Sequence, residues 1–282
     1  LIDVYFEQEE EANTFYQLVN SHDNEVCAKW ERKTKFIVQL ISESKEWNLC
    51  KDQIARFLST VYIMHRELPM IESILKKKYY FTNEEEIERI TSIARSLLEK
   101  DECVYEHRIH QHELRDTLST IFSLHLEPPE IRFDSIVHFR LHLYIEQLTE
   151  MIGLAIDEFK REEDYQSFIH SLREFIKRKA PEEDVVHVVQ GETFEFYRGN
   201  GSILMKHEVE ELRERFPLFI FGLEHGEWNI SPLIMLAPKH VIMYGNNPQE
   251  AQTHTVMNIF QEKFSFYPLT AFPFSNHEQK ES

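Results

Sequence analysis

No glycine occurs between Leu1 and Ile152, and this constrains the fold more than any other feature of the chain. Glycine supplies the left-handed backbone of tight turns and proline stops helices, so a long stretch poor in both favours long helices. One glycine follows at Gly153, the other six lie from Gly191 to Gly245, and seven of the ten prolines fall from Pro181 onward. The shift predicts a mainly helical domain over 1–180 that opens with a short strand-helix segment. An α/β domain over 181–274 and a polar tail over 275–282 follow, with the boundary near Ala180-Pro181. The expected fold class is α+β, with a predominantly α-helical N-terminal and middle part and a smaller C-terminal α/β part built from a β-meander and a β-α-β unit.

Periodicity fills in this outline. Ile2 to Phe6 has the β-branched and aromatic content of a strand, and Glu9 to Asn20 carries Ala12, Phe15, Tyr16 and Val19 at helical spacing. Val26 to Trp30 and Phe36 to Ile41 suit a hairpin across the charged stretch 31–35. From Asp52 to Tyr80, the apolar series Ile54, Phe57, Leu58, Val61, Tyr62, Met64, Leu68, Ile71, Ile74 and Leu75 predicts helix with a buried stripe, broken or kinked at Pro69. Asn83 precedes Glu84-Glu85-Glu86 as an N-cap for the next helix. Helix is expected again over 102–124, up to Pro128-Pro129, then over 133–159 and 165–179. After Pro181 the period changes to two. Val185 to Val189, Thr193 to Arg198 and Ser202 to Leu204 read as an antiparallel meander. Lys239 to Tyr244, a capping box over Asn247 to Glu250 with Pro248 at the first helical position, a helix over Ala251 to Lys263, and Phe264 to Tyr267 read as β-α-β.

Of the 282 residues, 42% are hydrophobic and 12% aromatic, enough to bury a core and inconsistent with a disordered chain. Lys and Arg number 31 against 49 Asp and Glu, and the resulting formal charge of −18 repels a phosphate backbone, so no nucleic-acid partner is expected. The apolar runs, such as Leu218 to Phe221 and Leu233 to Ala237, fall far short of the roughly 18–20 residues of a membrane span, so no membrane insertion is expected either. The N-terminus lacks the basic and apolar regions of a signal peptide, which points to the cytoplasm. Leu1 in place of Met suggests a trimmed chain or an alternative start codon, with at most a little sequence missing. Cys27, Cys50 and Cys103 are too widely spaced for a disulfide framework or a cysteine-rich zinc site.

Fifteen histidines call for a metal or acid/base reading. His138, His142 and Glu146 fall at i, i+4 and i+8, the weak metal candidates of this chain. On one straight helix the outer two would stand about 12 Å apart, so at most two could share an ion. His107, His110 and His112 cluster with Arg108 and Arg115, which reads most simply as a mixed polar helix surface. His187, flanked by Val186 and Val188, reads as a packed strand histidine. The turn Arg198-Gly199-Asn200-Gly201 lacks the features of a phosphate loop, and at Gly245 to Glu250 Pro248 removes a donor and Glu250 adds negative charge, so any anion site there would be weak. Lys76-Lys77-Lys78 and Glu84-Glu85-Glu86 suit a helix C-terminus and N-terminus respectively. No catalytic or cofactor-binding residues are assigned, and no cofactor is expected.

In the second part, Phe175-Ile176 leading into Asp184 to Val189, Leu233 to Pro238 before Val241-Ile242-Met243-Tyr244, and Thr255 to Phe260 resemble the YtxC-like family of sporulation proteins from Bacillus-type spore formers. None of these segments is chemically diagnostic. The resemblance implies a role in endospore formation and carries over no catalytic or ligand residue. Together with the absence of a catalytic constellation and the excess of aromatics, it leads to the expectation of a non-enzymatic protein-interaction role with a protein partner. The alternative is an enzyme or small-ligand-binding protein with its pocket between the helical and C-terminal parts, near residues such as His187 and His240.

Overall fold

The computed structural model describes residues 1–21, 26–30, 36–42, 47–99, 105–215 and 230–274. Two compact units form, Leu1–Lys160 and Arg161–Ser282. The composition shift at Ala180-Pro181 marks the point where helix gives way to strand. The units divide earlier because Ile169, Leu172 and Ile176, on the last long helix, belong to the second hydrophobic core.

In the first unit, β1 (Ile2–Tyr5), β2 (Val26–Lys29), β3 (Ile37–Ser42) and β4 (Glu130–Arg132) form one sheet in the order β2-β3-β1-β4. β1 runs antiparallel to β3, with Val4 opposite Val38, and parallel to β4, with Val4 opposite Ile131. β2 and β3 form the anticipated hairpin, with Ala28 opposite Leu40. Two-residue alternation puts Val4, Val26, Ala28, Val38, Leu40 and Ile131 on one face, and all are buried. On the other face the Gln39 amide donates to Asp3 at 3.1 Å, and the Arg132 guanidinium lies 5.2 Å from the Tyr5 ring centre. The opening strand therefore pairs within its own unit. β4 was not anticipated; three residues between Pro129 and a helix show no measurable alternation.

The helices of this unit are α1 (Glu9–Ser21), α2 (Trp47–Tyr62), α3 (Leu68–Lys77), α4 (Glu84–Glu99), α5 (Tyr105–His125), α6 (Phe133–Arg140) and the start of α7 (His142–Arg178). α4 begins as expected: Asn83 Oδ1 accepts the Glu85 amide at 2.9 Å. The run from Phe133 to Phe159, read as one helix, is interrupted at Leu141, whose backbone leaves the helical region (φ −84°, ψ 11°). α7 instead continues through 160–164, where a helix boundary was expected. That stretch is exposed on every side, and Lys, Arg and Glu are strong helix formers that hold a solvated turn without packing.

In the second unit, β5 (Val185–Val189), β6 (Glu195–Arg198), β7 (His240–Gly245) and β8 (Phe264–Pro268) make a single sheet in the order β6-β5-β7-β8. The meander and the β-α-β unit, read separately, are joined by parallel pairing of β5 and β7, with Val186 opposite Val241. The third meander strand is reduced to one bridge between Tyr197 and Ile203. α8 (Lys206–Arg215) and α9 (Ser231–Leu236) were not anticipated, and α10 (Ala251–Phe260) links β7 to β8. Val186, Val188, Phe196, Val241 and Met243 face the core with Val256, Ile259 and Phe260 of α10. α10 starts at Ala251, where the helix was read, but its N-cap is Glu250, three residues after the Asn247 of the capping reading. Asn247 Oδ1 accepts the Gln249 amide at 3.1 Å, which closes a tight turn instead of capping the helix.

Candidate functional site

The site in the first unit begins with a change of helical pitch. Between α2 and α3, Ile63–Glu67 form one π turn, wound wider than an α-helix. Pro69 sits in the first turn of α3 and cannot donate to a carbonyl four residues back, so the backbone just before it is free to widen. One extra residue in the turn rotates everything before it relative to everything after. The buried positions run Val61, Tyr62, then Glu67, Ile71, Ile74, Leu75. Met64 and Leu68, assigned to the buried stripe by a strict helical rhythm, are turned out and stand 65% and 38% exposed. Glu67 takes the inward place at 6% exposure. A trace of this was present in the sequence, since the two-residue step from Tyr62 to Met64 does not fit a helical face.

The inward carboxylate is compensated from two other helices. Arg115 of α5 donates to both Glu67 oxygens at 3.0 and 3.4 Å, and the Tyr144 phenol of α7 donates to Oε2. Burial, then the Glu67 charge, pushes the Tyr144 phenol upward, so it stays protonated and holds the donor role. Tyr62 packs edge-on against Tyr144 with ring centres 5.4 Å apart, and its buried hydroxyl has no hydrogen-bond partner among the described residues. Next to Glu67, Arg66 donates to Glu11 of α1 through Nε and through Nη2 at 3.1 Å, and to Asp134 of α6 at 2.9 Å. The Glu7 backbone amide donates to the second Asp134 oxygen at 2.8 Å. Burial, together with Glu7 and Glu11, holds the Asp134 carboxyl above its ordinary range, while Arg66 pulls it back down. His65 shares a 2.8 Å hydrogen bond with Thr14. Three successive residues of the π turn thus fasten α1, α5, α6 and α7. Both Glu67 oxygens are engaged, so this carboxylate is an anchor and not a base presented to a substrate.

Outside this anchor, α3 and α4 enclose an open groove of about 890 Å³, walled by Leu68 and Glu72 on one side and by Glu84, Ile87, Glu88 and Thr91 on the other. Among the described residues, the buried Thr91 hydroxyl has no partner. A smaller cavity of about 370 Å³ adjoins it, sharing Leu68 and Arg95 and reaching Met64 and Glu67. Lys76 crosses from the end of α3 to Glu84 at the start of α4 at 3.0 Å, where the basic and acidic runs were expected to meet opposite helix ends.

None of the other sequence candidates lines this groove. His138, His142 and Glu146 are exposed, and because α6 ends at Arg140 and α7 starts at His142 they do not share one straight helix. The His138 ring bonds the Asp134 carbonyl at 2.8 Å. Among the described residues, no group of three His, Cys, Asp or Glu side chains could hold a metal ion. The side chains of His107, His110, His112 and Arg108 lie outside the described residues. Among the described residues, no helix is long and apolar enough to cross a membrane. His240 is exposed at the start of β7. At the β7-α10 turn, Gln190 Oε1 accepts the Asn246 and Asn247 amides, each at 3.0 Å, so the donors an anion would use are already taken. The 198–201 segment is a hairpin turn, closed by the Gly201 amide on the Arg198 carbonyl at 2.8 Å.

His187 is buried on the sheet face opposite the core of the second unit. Its Nδ1 lies 3.0 Å from the Tyr244 hydroxyl, and Phe274 meets its ring edge-on at 5.1 Å. Phe272 packs on Tyr197 and Tyr244 at 4.9 and 5.2 Å, so the chain's own C-terminal aromatics cover this face. Gly201 (φ +86°) makes room for Phe274, since a Cβ there would lie 2.6 Å from the ring. Burial depresses the His187 imidazole below its ordinary value. The folded state therefore holds it neutral, and its contribution to stability is complete above the ordinary histidine value and lost as the pH falls through the depressed one. The His187→Gln variant is expected to flatten this acid-side loss in hydrogen exchange of β5, and an unchanged pH dependence would show that His187 is not its source.

A family model described as YtxC-like matches residues 52–265. An uncharacterized protein YtxC from Bacillus subtilis (strain 168) is 27% identical over 286 residues, covering 96% of each chain. No solved structure matches. The matched segment contains the π turn, the groove, β5, β6 and β7, and it ends within β8.

Proposed function

This chain belongs to the YtxC-like family, and on that premise we propose that it serves endospore formation as a non-catalytic, protein-binding component, with the α3-α4 groove as its binding surface. The observation that carries this reading is the groove itself: an open channel of about 890 Å³ beside two apolar side chains, Met64 and Leu68, that the π turn holds out toward solvent. The anchor beneath it supports the same reading. Glu67, Arg115 and Tyr144 fix the start of α3, so the groove is preorganised and a partner need not order it on binding. The link to endospore formation rests on the resemblance of the second part of the chain to sporulation proteins.

In its native host, a Met64→Asp, Leu68→Asp double variant is expected to keep a wild-type melting curve, because both side chains are exposed, and to lower heat-resistant spore yield to that of a deletion strain. Normal spore yield from a folded double variant would remove the groove from the function. A second reading, small-ligand binding, is favoured by the cavity of about 370 Å³ that reaches the buried Glu67. A small molecule retained at one equivalent in native mass spectrometry would select it.

A further inference from the structure

We propose that the α3-α4 groove takes a basic amphipathic helix of a protein partner. This rests on the interaction reading above and adds the chemistry of the partner. The groove runs along α4 from Glu84 to Ser96, about 18 Å at 1.5 Å per residue, which matches three turns of a docked helix. Its two walls are themselves helices, and a third helix laid between them presents side chains at i, i+4 and i+7 to the channel.

Charge selects the sign of that helix. Glu84 and Glu88 are one turn apart on α4 and line the groove with Glu72 of α3. Glu84 is engaged by Lys76, whereas Glu72 and Glu88 make no ion pair among the described residues. Glu72, Glu84 and Glu88 outnumber Arg95, which also lines the groove, and on a chain of formal charge −18 that acidic surplus attracts a cationic segment and repels an acidic one. Leu68 lies at the end of the groove next to the cavity that contains Ile63 and Met64, while Glu84 lies at the opposite end of α4's exposed face. The occupant therefore presents apolar side chains to Leu68 and Ile87 and Lys or Arg to Glu72 and Glu88.

The test uses the full-length protein and two fluorescent twelve-residue helical probe peptides with the same leucine face, one bearing lysines and the other glutamates on its flanks. The lysine probe is expected to bind at least about tenfold more tightly than the glutamate probe, with the difference shrinking as salt rises. Glu72→Lys, Glu88→Lys is expected to reverse the preference, and Leu68→Asp to weaken both probes. Equal binding of the two probes, or a preference untouched by the charge reversal, overturns the proposal. A photo-crosslinking residue at position 68 in sporulating cells separates this failure from that of the underlying reading. An adduct with an acidic or non-helical partner segment overturns the basic-helix proposal and leaves the interaction reading standing. The absence of any adduct, together with normal spore yield from the groove variant, overturns both.

Discussion

Arg66→Ala is expected to destabilise the first unit by about 3–5 kcal/mol, the range for removing one partner from a buried ion pair. A solvent-exposed pair would contribute only about 0–1 kcal/mol, so burial decides between the two. The Glu11 side chain is fully buried and that of Asp134 is 12% exposed, and both carboxylates would lose the guanidinium that binds them. Asp134 gives the prediction a signature beyond its size. Burial already holds its carboxyl above the ordinary range, and Arg66 is the charge that opposes the shift. Without Arg66 the folded value moves further above the unfolded one. A raised carboxyl stabilises the fold on its acid side and loses that contribution as the pH rises through the folded value. The deficit of Arg66→Ala should therefore be largest at neutral pH and should narrow as the pH is lowered toward the ordinary carboxylate range. Urea unfolding followed by hydrogen exchange in α1 and α6 reads both features. A loss below about 1 kcal/mol, or a deficit that does not change with pH, would mean that the π turn is not fastened through this cluster. Arg66→Lys keeps the charge but not the two-pronged geometry, and should fall between wild type and alanine.

Much of the helical part was legible because its signal is local. Ala12, Phe15 and Val19, or Ile87, Ile90, Ala94 and Leu98, recur at helical spacing and are buried as that spacing requires. The meander and the final β-α-β were legible for the same reason, from alternation and turn residues. What escaped depends on partners distant in sequence. β4 exists because Ile131 meets Val4, and the second sheet is single because Val186 meets Val241. Neither short segment advertises its partner. The candidate site escaped through a change of period. A strict 3.6-residue rhythm puts Met64 and Leu68 inside and ignores Glu67, whereas the π turn does the opposite. The histidines drew attention by number, yet the polar residues that organise the site are Arg66, Glu67 and Arg115. Their importance comes from where the backbone turns them, which residue type alone does not reveal.

Phe133→Ala is expected to cost about 3–5 kcal/mol, as large-to-small changes of a buried aromatic do, equivalent to a fall of about 6–20 °C in the melting temperature of a unit of this size. The ring is fully buried and stands where four elements meet. It stacks on Phe122 of α5 with centres 5.7 Å apart and planes 2° from parallel. It also tilts against Phe6, which follows β1, at 5.2 Å, and Phe6 in turn meets Phe15 of α1 at 5.4 Å. Truncation removes two ring contacts, each worth about 0.5–1.5 kcal/mol beyond area burial, and leaves a void that the sheet and α5 cannot close without shifting. Phe133 also directly precedes Asp134, so a shift of α6 into that void would carry away a carboxylate that binds Arg66. The two sites are therefore coupled, and the Arg66→Ala, Phe133→Ala double variant should lose less than the sum of the single losses. Phe133→Leu, which refills most of the volume, should cost under about 2 kcal/mol. A double-variant loss equal to the sum, measured by urea unfolding, would show that the aromatic cluster and the π-turn anchor hold the unit independently.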